Sequence, residues 1–100
     1  MEIVKMLNNG TCDVTLRGKF TFSDTTGFRD VIAQIADPQI RQLVLHMQQL
    51  EFVDSAALGM LLLALDESEK HQKKIAISGA AGQVKKMFEM ARFNTLFSMN

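Results

Sequence analysis

Cysteine is nearly absent from this 100-residue chain: Cys12 stands alone, so no internal disulfide can form and a reducing, cytoplasmic setting is expected. Net charge is absent too. Eleven Lys+Arg balance eleven Asp+Glu, which removes the global field that draws a protein to nucleic acid. Lys73, Lys74, Lys85 and Lys86 offer a small basic patch at most, and read better as a solvated rim. No long hydrophobic run occurs. Ala56 to Leu65 is about half of the ~20 residues that a spanning helix requires, so no membrane insertion is expected. The N-terminus also lacks the basic-then-apolar pattern of a signal peptide. His46, His71 and Cys12 lack metal-ligand spacing, and no metal or cofactor is expected. Ser55, Asp54 and the two histidines have no G-x-S-x-G elbow around them, so catalysis is not expected either. Gly79 and Gly82 give only a weak phosphate-cradle signal that turn chemistry explains equally well.

What is present is apolar material: 47% of residues are hydrophobic, enough for one modest core, and residues 1–100 are expected to form one domain. No linker, repeat or low-complexity segment divides them. Glu2 to Leu7 and Thr11 to Arg17 are strand-like runs about Asn8-Asn9-Gly10, whose residues accept the positive φ of a tight hairpin. Cys12, Val14 and Leu16 alternate with polar neighbours, giving a strand with one wet face that Gly18 should break. Phe28, Val31, Ile32 and Ile35 follow helical spacing behind Ser23 or Asp24 as a cap, and Asp37-Pro38 should end that helix. Leu43 to Met47 reads as a central strand covered on both faces. Lys74 to Ile77 is a further strand, Val84, Met87, Phe88 and Ala91 mark a third helix, and Phe93, Leu96 and Phe97 should pack back on the core. This order implies an α/β sandwich: a mixed sheet of four or five strands with three to four helices.

The most informative stretch is Phe52-Val-Asp-Ser-Ala-Ala-Leu-Gly-Met-Leu-Leu-Leu-Ala64, where Asp54 and Ser55 stand between an apolar strand and an apolar helix. Either residue can cap the first helical turn. Alternatively the pair is a switch. Leu58, Leu61, Leu62 and Leu65 form a core stripe at helical spacing, which places Ala56, Met60 and Leu63 on the opposite side. A Met60–Leu63 patch beside Ser55 would be a docking surface, or would lie under the tail or first helix. Self-association through such a patch would also be open to it, so the oligomeric state is undetermined.

The stretch F-V-D-S-A-A-L-G-M-L resembles the signature of the STAS domain, the fold of bacterial anti-sigma factor antagonists. Support extends over nearly the whole chain: the opening hairpin, Gly18 before a Phe-rich turn, Leu43-Val-Leu before the signature, and Val84-Lys-Lys-Met-Phe-Glu-Met. The resemblance implies a non-enzymatic module that works by partner switching, with Ser55 as its phosphoacceptor and Asp54 as the preceding acid. It also implies that the helix from Ala56 to Leu63 faces the partner. That partner would be a serine protein kinase that is also an anti-sigma factor. The wording G-K-F-T-F-S-D with D-S-A-A-L-G-M-L-L-L is similar to single-domain proteobacterial members controlled by response-regulator kinase/phosphatases, whose outputs include biofilm formation and motility. The alternative within the family is a constitutive accessory subunit on the ATPase of a transporter. Ala57 stands where the motif usually has Gly, which should matter little inside a helix, where Ala is the better former. Thr21 stands where an acidic residue is common, and for that reason nucleotide binding is not carried over.

Overall fold

The computed structural model describes residues 1–99. Strand β1 (Glu2–Asn8) turns into β2 (Thr11–Phe20) through Asn9 and Gly10, at φ 51° and 84°. Positive φ at both central positions matches the right-handed twist of the flanking strands and sets the antiparallel register, Asn8 opposite Thr11 and Ile3 opposite Leu16. A 3-10 turn (Phe22–Asp24) leads into α1 (Thr25–Gln34), followed by β3 (Gln42–Val53), α2 (Ser55–Lys70), β4 (Lys74–Ser78), α3 (Gly82–Met90), α4 (Phe93–Leu96) and β5 (Ser98–Met99). The five strands lie in sequence order, with only β1–β2 antiparallel. The sheet is therefore mixed, as the alternation of strands and helices implied.

Two details differ from expectation. Gly18 does not end the second strand; at φ 94° it sits beside a register shift between Gly18 and Lys19, and pairing with β3 continues to Phe20 opposite Val53. The extra residue lies on β3, since Gly18 stands opposite Leu50 and Lys19 opposite Phe52, and the left-handed glycine lets β2 follow this shift without stopping. The central strand is also longer than Leu43–Met47 and is covered on one face only. Cys12, Val14, Leu16, Leu43, Leu45, Met47 and Ile77 are buried on the helical side. On the other face Thr11, Asp13, Thr15, Val44 and His46 are only partly covered. There Asp13 Oδ1 meets His46 Nε2 at 2.8 Å, and Gln42 Nε2 donates to Thr11 Oγ1 at 2.9 Å. Hydrophobic burial on one side and paired polar groups on the other make β3 a half-buried strand despite its apolar start.

The core is completed from both ends of the chain. Phe28, Val31 and Ile35 of the first helix region are buried, with Phe20 and Phe28 ring centroids 4.8 Å apart. At the other end Phe88, Phe93 and Phe97 form a run with successive centroids 5.1 Å apart, which seats the tail. Leu96 points outward instead. Cys12 is buried, and burial, with a lesser contribution from Asp13 opposed by Lys5, raises its thiol pKa.

Candidate functional site

The junction between β3 and α2 separates the roles of two residues that the sequence left undivided. Asp54 has extended backbone and caps α2, its Oδ1 accepting the Ala57 N–H at 2.9 Å. Its other oxygen, Oδ2, accepts the Phe22 N–H at 3.0 Å. One carboxylate thus joins the first turn of α2 to the loop after β2. The Asp54 N–H in turn donates to the Phe20 carbonyl at 3.2 Å, closing the same junction through the backbone. Ser55 is the first residue of α2, takes no part in the cap and is exposed.

Two further side chains hold this corner. Gln83, in the first turn of α3, accepts the Val53 N–H through Oε1 and donates to the Val53 carbonyl through Nε2, both at 3.0 Å. It replaces the neighbouring strand at a level that β4, which ends at Ser78, does not reach. Asp24 Oδ2 accepts the Thr21 N–H at 2.9 Å, while Oδ1 meets the Met1 amine at 3.0 Å. Burial opposes ionisation of Asp24, but the Thr21 N–H, the Met1 amine and the Thr21 hydroxyl outweigh it, and the carboxyl pKa falls below its ordinary value. Gln83 and Asp24 were not assigned to the site from sequence. A Gln at the start of a helix carries no signal of its own until the fold sets it beside a strand end.

The face of α2 differs from the leucine-based reading. Ala57, Met60, Leu61, Ala64 and Ser68 are the buried positions. Leu61 keeps the core position expected of it, but small Ala57 and Ala64 with Met60 fill the rest of the buried line, so the core-facing side is turned away from Leu58, Leu62 and Leu65. Met60, expected on the docking side, is 5% exposed and belongs to the core. Leu62, expected in the core, is 42% exposed, and Leu63 is 52% exposed as anticipated. Ala56, Leu58 and Leu65 are half-buried flanks. The outward line is therefore Ser55, Gly59, Leu62 and Asp66, with Leu63 beside it. Gly59 is exposed, and a Cβ there would meet nothing within 4 Å. Phe22, held to Asp54 through its backbone, is 74% exposed. Phe22, Leu62 and Leu63 are thus exposed apolar side chains on the two segments that Asp54 joins, the loop after β2 and the outer side of α2.

The other sequence candidates are not gathered here. His46 is bonded to Asp13 in the middle of β3, and His71 meets Glu67 at 3.3 Å at the far end of α2. Among the described residues no His–Ser–Asp arrangement is assembled. The Gly79 turn, at φ 77°, is occupied by the Gln48 side chain, which fills the place where a Cβ would stand. Among the described residues no three His, Cys, Asp or Glu side chains are placed to hold a metal ion. No described helix is long and apolar enough to cross a membrane.

The profile of the family described as "Mlab, STAS domain" matches residues 5–98. The chain belongs to the STAS domain family. A STAS-domain containing protein of Pseudomonas aeruginosa (strain UCBPP-PA14) is 29% identical over 87 residues, which cover 87% of this chain and 85% of that protein. Among solved structures, the anti-sigma factor antagonist SpoIIAA in its unphosphorylated form superposes with a TM-score of 0.78 at 18% identity, covering 99% of this chain and 87% of that one. The Bacillus SpoIIAA is also known in a phosphorylated form, with the same TM-score of 0.78. A sulfate transporter family protein from Wolinella succinogenes gives 0.77 at 17% identity, over 92% of this chain and 75% of that one. This STAS domain therefore has the fold of an anti-sigma factor antagonist, a fold found in a transporter family as well.

Proposed function

We propose that this STAS domain is a non-enzymatic regulator that acts by partner switching, controlled by reversible phosphorylation of Ser55. The observation that carries the reading is the division of labour at the junction: Asp54 supplies the cap, which leaves Ser55 exposed at the head of an outward apolar face. Support also comes from SpoIIAA, which exists in phosphorylated and unphosphorylated forms of the same fold.

The physics of such a switch is simple. Phosphorylation adds roughly −1.5 to −2 charges at a position next to the Asp54 carboxylate. The N–H groups and dipole of the first turn of α2 favour an anion there, so the fold tolerates the change. A partner that covers Ser55 together with Phe22, Leu62 and Leu63 does not. Desolvating the dianion without a cation to meet it costs several kcal/mol, and about 1.4 kcal/mol suffices for each tenfold loss of affinity. The partner class is a serine protein kinase that is also an anti-sigma factor, or a response-regulator kinase/phosphatase, met in the cytoplasm by a single-domain protein. Asp54, Ser55, Ala56 and Leu63 stay in the proposed contact set; Leu62, Gly59 and Phe22 join it, and Met60 leaves.

The second reading, a constitutive subunit on the ATPase of a transporter, draws support from the likeness to the sulfate transporter family protein. One experiment separates them: capture from host lysate with wild-type, Ser55→Ala and Ser55→Asp baits, followed by mass spectrometry of bound proteins and of the Ser55 peptide. The switch requires a kinase or anti-sigma-like protein held by Ser55→Ala and lost by Ser55→Asp, with phosphate on native Ser55. Retention of one transporter ATPase by all three baits, with Ser55 unmodified, would establish the constitutive subunit instead.

A further inference from the structure

At the opposite end of β3 from Ser55 the structure has a second concave feature, unrelated to the docking face. The β1–β2 turn, the start of β3 and the link from α2 to β4 enclose a cleft of about 590 Å³, within the range of small-molecule sites. Arg41, His71, Lys73 and Lys74 line it together with the amides of Asn9 and Gln72, and no carboxylate residue lies in its wall. In a chain of zero net charge this is a local excess of cations.

Their partners make the excess meaningful. Among the described residues Arg41, Lys73 and Lys74 form no ion pair, whereas His71 faces Glu67. Lys73 Nζ donates to the Asp37 and Ile40 carbonyls, so its position is fixed while its charge remains uncompensated. Arg41 is placed by Gly10: the Gly10 carbonyl accepts the N–H groups of Arg41 and Gln42, and the missing Cβ leaves room for the guanidinium, whose Nε would lie 2.8 Å from it. The β4 side is set by the turn at Gln72, φ 57°, closed by the Lys73 N–H on the Ser68 carbonyl at 2.7 Å. The acidic residues around the cleft are Glu67, which faces His71, Asp37, whose carbonyl holds Lys73, and Glu69, which lines a neighbouring groove with Lys73 and Lys74.

We propose that this cleft binds a small soluble compound carrying phosphate groups. A guanidinium offers a planar fork that matches two phosphate oxygens, and ammonium groups supply point charges around it. The concave wall and its amide groups fit a compact polar ligand. The site is independent of Ser55, so its occupancy and the partner switch succeed or fail separately.

The test is a titration of the 15N-labelled full chain with sodium pyrophosphate at constant ionic strength, followed by amide NMR, for wild type and the Arg41→Gln/Lys74→Gln double variant. Both side chains are exposed, and the remainder of the variant spectrum verifies that it folds. Saturable shifts at Asn9, Gln42 and Gln72, with at least tenfold weaker binding in the variant and no movement at Ser55, are expected. Shifts that grow linearly without saturation, that are equal in the variant, or that centre on the first turn of α2 would overturn the proposal. A parallel arm measures co-sedimentation with phosphatidylglycerol/phosphatidylcholine vesicles. Vesicle binding lost in the variant, without saturable pyrophosphate binding, would overturn the soluble ligand in favour of a lipid headgroup.

Discussion

Gln83 grips Val53 by both of its backbone groups, at 3.0 Å in each direction, and so fixes the residue that immediately precedes the Asp54–Ser55 pair. Gln83→Ala removes a donor and an acceptor together and should cost about 1–3 kcal/mol, read as a lower urea midpoint. Gln83→Glu keeps the acceptor and loses the donor, so it should fall between wild type and Ala. Partner capture by the Ala variant should weaken even where the protein is fully folded.

Asp54 offers a graded series. Asp54→Ala removes both the helix cap and the hold on Phe22 and should destabilise by about 1–2 kcal/mol. Asp54→Asn retains one acceptor oxygen and should lose less. Equal melting temperatures for Ala and wild type would contradict the capping geometry.

Gly59 is a helix-interior glycine with open space where a Cβ would go. Gly59→Ala should therefore stabilise the isolated protein by roughly 0.5–1 kcal/mol. If the partner approaches the α2 backbone closely at this point, the same substitution weakens binding. Calorimetric melting and partner titration of one variant test both halves.

The two sides of α2 should respond oppositely. Met60→Ala opens a cavity in the core and should cost about 2–5 kcal/mol, whereas Leu63→Ala should stay within about 0.5 kcal/mol of wild type. Leu63→Ala should nevertheless lower partner affinity, measured on folded protein at equal concentration.

How far the sequence could be read depended on what each residue's role required. The Asn9-Gly10 turn, the Cys12–Leu16 alternation and the Phe28–Ile35 spacing are local, and each appears as expected. Placing Ser55 at the head of a helix was also local. The rotation of α2 was not, because five leucines on 16 residues offer more than one plausible stripe, and the small residues that choose among them act only through the distance to the sheet. Gln83 lies 30 residues from Val53, and Phe22 is 32 from Asp54. Contacts of that span leave no pattern in a single sequence.

Asp24 links stability to pH. Its folded-state pKa is lowered, so its ionised form contributes stability that is present above the ordinary carboxylate value of about 3.9 and is lost as pH falls through the lower folded value. Asp24→Asn should accordingly be less stable than wild type near neutrality. The difference should shrink below about pH 4, measured by urea unfolding at a series of pH values.

Because one Asp54 carboxylate serves two segments, the loop at Phe22 and the first turn of α2 are linked by epistasis. A substitution that shifts either backbone N–H withdraws an oxygen's partner without freeing the other to compensate, so changes at the two places should be non-additive. Sequences of this type would then vary at the two segments in concert, and a graft that transplants the Asp54–Ser55 helix without its companion loop would carry the phosphoacceptor but not the geometry that presents it.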